Sequence, residues 1–408
     1  MQVVYERCCG LDIHKRSVTA CSLTPEGKAI RTFGTMTEDL LELADWLQDQ
    51  GCSHVAMEST GSFWKPIYNV LEATGAFTLL VVNAQHIKAV PGRKTDVRDA
   101  EWIADLLRHG LLQPSFVPSR EQRELRELIR YRQEIVDERA REVNRLQKVL
   151  EGANIKLSSV ATDITGKSGW SILKALSQGE TDPQELAAMA KGRMKAKHDE
   201  LKRALHGVMG DHQRLMLREQ LQHIEELDRR IERLTKEIGE RMRPFEDALE
   251  RLDTIPGVGR RIAEVIVAET GADMSQFPTA GHLASWAGMC PGNHESAGKR
   301  KSGRTRKGNV TLRRALVEAA QAAGRTRDTY LSAQFKRLAH RRGSKRAAVA
   351  VGHTILIIAY HLLKRQTTYQ ELGPLYFEEK QRETAVRNSV KRLERLGYQV
   401  ILEPRIPA

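Results

Sequence analysis

Four carboxylates in the first hundred residues stand where they could hold a metal ion. They are Asp12 in the run Gly10-Leu11-Asp12-Ile13, Glu58 in Met57-Glu58-Ser59-Thr60-Gly61, and Asp96 with Asp99 in Lys94-Thr95-Asp96-Val97-Arg98-Asp99-Ala100. Asp12 follows a strand-like run and Glu58 ends another, while Asp96 and Asp99, three apart, share one face at the start of a helix. Magnesium takes hard oxygen ligands and keeps several waters. Two such ions roughly 4 Å apart can activate a nucleophile and stabilise a leaving oxygen in phosphodiester cleavage. Any one of these carboxylates alone is more often a surface group or a complement to a helix N-terminus. All four in this order point to metal-dependent phosphoryl chemistry.

Two further patterns lie downstream. In Leu252-Asp253-Thr254-Ile255-Pro256-Gly257-Val258-Gly259-Arg260-Arg261, one helix ends near Pro256 and another starts near Arg260, across a tight glycine hairpin. Glycines let backbone N–H groups approach phosphates at a helix N-terminus. Gly257, Gly259 and Arg260 are therefore candidates for a helix-hairpin-helix grip on a nucleic-acid backbone, the plainer reading being a turn between packed helices. The second pattern runs from Gly288 to Ala315 and holds Ser296, followed by Lys299, Arg300, Lys301, Arg304, Arg306, Lys307, Arg313 and Arg314. These cations would neutralise phosphates and make binding steeply salt-dependent. Ser296 could be a nucleophile if a base or metal eased its deprotonation. By composition, Ser302 and Thr305 are equally eligible, and a serine in a basic loop more commonly donates a hydrogen bond to phosphate. His294 could orient a phosphate or act as a base.

These groups need elements to position them. Val3–Ile13, Ser17–Thr24 and Ala29–Phe33 read as strands, followed by an amphipathic helix that Thr37 can cap, over Leu40, Leu41, Leu43, Ala44 and Leu47. A strand at His54–Met57, a helix at Phe63–Thr74, a strand at Phe77–Asn83 and a helix at Asp96–Arg108 follow. Three strands, then helix, strand, helix, strand, helix is an RNase H-like α/β order. Beyond it, Ile129, Val136, Val143 and Leu150 repeat every seven residues, as do Leu217, Ile224, Ile231, Ile238 and Phe245. Both runs read as coiled-coil heptads, although Arg132, Arg139 and Arg241 stand where an apolar residue is expected. The expected division is an α/β domain over 1–113, a helical coiled-coil region over 114–247 with an insertion at about 152–212, a mainly α domain over 248–366 and a tail over 367–408.

Composition narrows the partners. The 408 residues carry a net charge of +13, and residues 296–346 alone hold 16 Lys and Arg against Glu318 and Asp328, a net of +14. Residues 1–110 are net −3, with 14 acidic and 11 basic side chains. Polyanion binding is thus expected of the C-terminal half. The five cysteines form no Cys-x-x-Cys pair, and the N-terminus has no basic segment leading into an apolar run, so a reducing cytoplasm is the expected compartment. Ala347–Leu363, interrupted by His353, Tyr360 and His361, reads as a buried helix, and no membrane partner is expected.

Taken together, Gly10–Lys15, Met57–Gly61, Lys94–Ala100, Ile255–Gly259 and Trp286–Arg300 resemble the motifs of bacterial insertion-sequence transposases of the IS one-ten family, also called DEDD transposases. The likeness covers nearly the whole chain. It implies a RuvC-like domain joined through a coiled coil to a transposase domain, with Asp12, Glu58, Asp96 and Asp99 as a metal-binding tetrad and Ser296 as nucleophile. By the same resemblance, two Mg²⁺ ions assist, the serine becomes covalently linked to DNA, and donor and target strands are exchanged through a junction-like intermediate. A structured bridge RNA pairs with both DNAs, and the protein works as a homo-oligomer, dimer to tetramer, on nucleic acid. The 152–212 segment and the tail make this chain longer than compact members. Read without the resemblance, the same residues also suit a RuvC-like structure-selective endonuclease that cuts with metal-activated water, or a non-catalytic nucleic-acid scaffold.

Overall fold

The computed structural model describes residues 2–59, 61–83, 96–292, 294–296, 299–302, 305 and 307–402; at 96–98, 294–296, 299–302, 378–381 and 383–385 it describes the backbone alone. The chain divides into two compact units, residues 1–118 and 119–408.

The first unit is α/β. Strands β1 (Cys8–Ile13), β2 (Val18–Thr24) and β3 (Gly27–Phe33) are followed by α1 (Thr37–Asp49), β4 (His54–Glu58), α2 (Trp64–Thr74), β5 (Thr78–Val82) and α3 (Asp96–Arg108). They form one mixed sheet in the order β3-β2-β1-β4-β5, with the first three strands antiparallel and β1, β4 and β5 parallel. Strand alternation sends side chains to two separate cores. Cys9, Leu11 and Ile13 join Val55, Met57 and Val81 on the face covered by α1 and α2. Cys8, Ala56 and Val82 face the other way, onto Ala100, Ile103, Ala104 and Leu107 of α3.

The closest approach on that second face is at Gly10. A Cβ there would lie 2.4 Å from both the Ala100 carbonyl oxygen and the Ala104 nitrogen, so only glycine lets the α3 backbone rest on β1. The Cys8 thiol, two residues earlier on the same face, lies 3.7 Å from the Ala104 carbonyl. Burial pushes the Cys8 thiol up to about 12, and those of Cys21 and Cys52 up to about 11. These cysteines act as small apolar core residues.

Three local expectations need correction. Leu41 is exposed rather than on the apolar face of α1. The first strand begins at Cys8 rather than Val3, because the Val4 and Tyr5 N–H groups bond the Arg108 carbonyl at the end of α3 instead of a neighbouring strand. Thr37 is the first residue of α1 and not its cap; the Asp39 carboxylate reaches back to the Met36 N–H at 3.0 Å.

The second unit is mainly helical. Helix α4 (Arg120–Gly152) leads into the short helices α5 (Leu157–Val160), α6 (Lys167–Gln178) and α7 (Pro183–Ala188), a 3-10 turn at Gly192–Lys197, and α8 (His198–Ala204). Helix α9 (Asp211–Met242) returns along α4, with Arg241 on Glu124 at one end and Arg139 on Asp228 further along, so the two long helices run antiparallel. The segment between them has a core of its own. Ile155, Leu157, Ile172, Leu173, Leu186 and Leu201 pack on Leu146 and Leu150 of α4 and on Leu217 and Leu221 of α9.

There follow α10 (Glu246–Asp253), α11 (Arg260–Thr270), α12 (Ala280–Trp286), the strands β6 (His294–Ser296) and β7 (Lys299–Ser302), α13 (Val310–Ala323), α14 (Tyr330–Arg342), α15 (Ser344–Arg365) and α16 (Tyr376–Arg395). The glycine hairpin joins α10 to α11. Gly257 has φ +87° and packs on α13, where a Cβ would meet the Ala319 carbonyl oxygen at 2.4 Å; Gly259, by contrast, faces open space. Helix α15 is long and apolar enough by composition to cross a membrane. In this fold it lies largely within the core of the unit, with Ala347, Val351, Ile355, Leu356 and Ala359 buried.

Three substitutions separate the packing glycines from the open one. Gly10→Ala and Gly257→Ala each lower the unfolding free energy of the full chain by about 1–3 kcal/mol, the usual cost of overpacking. Gly259→Ala meets no neighbour and costs only the preference for glycine over alanine at the N-cap of α11, below about 1 kcal/mol. Urea titration followed by tryptophan fluorescence measures all three, and equal sensitivity at 257 and 259 would contradict the geometry.

Candidate functional site

Strand register sets two carboxylates of the first unit, Asp12 and Glu58, next to each other. β1 and β4 run parallel with Leu11 opposite Met57, so Asp12 and Glu58 are the next residues along, at the carboxyl ends of neighbouring strands. Alternation from Gly10 and Ala56 sends both side chains to the face covered by α3. That helix is held on Gly10 through Ala100, so Asp99, the residue before it, stands in the first turn of α3 beside the end of β1. Asp96 is the first residue of α3, one turn earlier, and its side chain lies outside the described residues, as do Lys94 and Thr95. Asp12 is 13% exposed and hydrogen-bonds His14 Nε2 through Oδ2 at 3.1 Å; Glu58 and Asp99 are half-buried.

Every candidate ligand here is an Asp or Glu oxygen, the donor chemistry that Mg²⁺ selects over nitrogen or sulfur. Among the described residues no group of three or more His, Cys, Asp or Glu is close enough to hold a metal ion, and Asp96 was not among those described side chains.

Ser296 belongs to the second unit. It is the last residue of β6 and pairs with Lys299 of β7, while Glu295 pairs with Arg300 and His294 with Ser302. An isolated bridge from Pro291 to Thr305 continues the ladder toward the base. The side chains of Ser296, Lys299, Arg300 and Lys301, and the whole of Gly298, Arg304 and Arg306, lie outside the described residues. Lys307 is exposed. At the base, a Cβ on Gly308 would be 2.3 Å from the Gly288 nitrogen, so the two ends of the segment touch. Cys290, next to that base, has its Sγ 4.0 Å from Nε2 of the half-buried His353, and burial lowers the pKa of this imidazole.

Of the other cations proposed for nucleic acid, two have protein partners. Arg260 forms a two-toothed ion pair with Glu246 of α10 and reaches Glu264 at 3.3 Å. Arg314 forms a similar pair with Asp137 of α4, which lowers the Asp137 pKa. Arg313 is half-buried. The close approach that Gly257 permits is to the α13 backbone, which leaves Gly259 as the open glycine of the hairpin.

Sequence reasoning missed a buried charge network where α4 docks on α11. Arg132 donates to Glu264 at 2.7 Å, both about 5% exposed, and Arg126 and Arg130 close on Glu269, which has no exposed surface. Gln122 and Arg126 also donate to the last carbonyls of α11, at Ala268 and Glu269. Burial pushes Arg126 down to about 10, which leaves it charged at neutral pH. The signal was present: Arg132 interrupts the apolar heptad because its partner is a carboxylate rather than the facing helix. A cleft of about 260 Å³ beside this network is bounded by α4, α11 and α13.

Most of the chain is similar to known proteins. Residues 9–155 match a family described as transposase, and residues 249–337 match one described as the transposase IS116/IS110/IS902 family. The chain is 28% identical over 370 residues to the transposase for insertion sequence element IS1111A of Coxiella burnetii, covering 88% of this chain and 90% of that one. It is 30% identical over 312 residues to an insertion element IS116 protein of Streptomyces clavuligerus, covering 66% and 75%. A pilin gene-inverting protein of Moraxella lacunata is 23% identical, with 89% and 97% covered. The chain belongs to the IS110 family of insertion-sequence transposases, enzymes of DNA transposition and recombination.

Proposed function

We propose that this transposase breaks and rejoins DNA through Ser296, assisted by Mg²⁺ held by Asp12, Glu58, Asp96 and Asp99 on an RNase H-like sheet. The observation that supports it most is the register of β1 and β4, which brings Asp12 and Glu58 side by side on the face where α3 contributes Asp99. When bound, divalent magnesium would neutralise charge building on a phosphate and favour the ionised form of an attacking oxygen. His14, bonded to Asp12, orients that carboxylate.

In the reaction itself, the Ser296 hydroxyl attacks a backbone phosphorus. An Oγ–P bond forms, the bond from phosphorus to one deoxyribose oxygen breaks, and that oxygen leaves as a free hydroxyl with a proton. The reverse step, by a hydroxyl from a different end, breaks the serine ester and joins the new strands. No external energy source is needed, because one phosphate ester replaces another. The Lys and Arg of the serine segment bind the DNA backbone, and the density of charge over 296–346 also suits a structured RNA that pairs with donor and target. The working form in this reading is a homo-oligomer assembled on nucleic acid, in the bacterial cytoplasm.

The test is a covalent trap. Labelled junction DNA, Mg²⁺ and protein made together with the non-coding flank of its element give a slow-migrating, protease-sensitive DNA species on a denaturing gel. That species is absent in Ser296→Ala, and Asp12→Asn lowers its yield by roughly a hundredfold or more, as expected when a charge-stabilising group is lost. Cut ends that persist in Ser296→Ala would instead assign cleavage to water and remove the serine from the mechanism. Separately, changing Arg304, Arg306 and Lys307 together to Gln reduces the slope of log affinity against log salt by about 3, near 0.9 for each phosphate contact. Filter binding across a salt series reads this directly, and an unchanged slope would take these three residues off the DNA.

A further inference from the structure

The segment that bears Ser296 re-enters the helical core at Asn309, and this residue makes two bonds of opposite polarity. Its Oδ1 accepts the Leu312 N–H at 3.0 Å and caps α13. Its Nδ2 donates to Glu269 Oε2 at 2.6 Å. A cap needs only an acceptor, which Ser, Thr or Asp would supply equally well. The second bond needs a donor as well, and a side-chain amide offers both. The orientation is fixed by chemistry, since the reversed amide would set its oxygen against a carboxylate.

Glu269 is the other half of the contact. It is fully buried near the end of α11, and Arg130 grips both its oxygens at 2.7 and 2.8 Å. Arg126 adds a contact at 3.1 Å from Nε to Oε2. One carboxylate thus links the end of α11, the long helix α4 and the exit of the serine segment. The entry and exit of that segment are already pressed together at Gly288 and Gly308, so holding the exit holds the base.

We propose that Glu269 is a positioning residue for strand transfer: through Asn309 it anchors the base of the serine segment to α4. This rests on the reading of Ser296 as nucleophile.

Asn309→Asp keeps the capping acceptor but sets a carboxylate against Glu269. Amide exchange across 288–309 then quickens roughly tenfold, a local opening that leaves α11 and α13 protected. Strand joining at saturating DNA slows by roughly tenfold or more, as misplaced reacting groups do, with DNA affinity within about twofold of wild type. Asn309→Ser, which caps without adding charge, repeats the first pattern should the aspartate variant fold poorly. Wild-type exchange and joining in both variants would overturn the anchor. The exchange measurement involves no DNA, so it judges the anchor even if Ser296→Ala retains cleavage, which would sink the serine reading and with it the link to joining.

Discussion

A carboxylate with no exposed surface must be charge-balanced by its neighbours, and in the helical unit that requirement falls on Glu269. Removing a charged partner from a buried pair costs about 3–5 kcal/mol, because the remaining charge is left without water or counter-ion. Arg126 and Arg130 must therefore stay at the end of α11, and with them the first half of α4. Arg132 and Glu264 repeat the arrangement less than two turns earlier. The N-terminal part of α4 is thus placed by ionic and carbonyl contacts, whereas its far end is placed by apolar packing on the short helices. Charge pairing is directional, so it specifies the register of α4 on α11 more narrowly than leucine packing would.

The first unit solves its positioning problem sterically. Gly10 lets α3 lie against the backbone of β1, and the parallel pairing of β1 and β4 aligns Asp12 with Glu58. The floor beneath them is made of Cys8, Ala56, Ala100 and Ala104, small residues that allow sheet and helix to sit close together.

Much of this was legible in the sequence. The order of strands and helices in the first unit follows from period-two and period-3.6 patterns punctuated by turns, and Asp96–Arg108 has the bounds expected for it. The errors arose where long-range bonding overrides local pattern: Val3 to Glu6 look like strand but are held by the end of a helix. The two heptad runs appear as an antiparallel pair of long helices within one chain, a pairing that periodicity alone does not specify. Arg132 looked like a flaw in a seam because its partner, Glu264, is 132 residues away. The same holds for Glu269 and Asn309, since a buried polar contact across 40 residues leaves no periodic trace. Of the candidate site, the sequence shows which residue types are available, and register supplies which of them meet.

The touching glycines at 288 and 308 also set a leash. Eight residues separate Gly288 from Ser296, and a fully extended chain spans at most about 3.3–3.6 Å per residue, so the serine can stand no more than roughly 29 Å from the base of its own segment. Whatever strand of DNA meets that hydroxyl, and whatever carboxylates assist it, in this copy or another, must come inside that radius. Lengthening the hairpin between Gly288 and Gly308 would enlarge the sphere without disturbing the helices beneath it, which makes the segment a natural place for relatives to differ in reach.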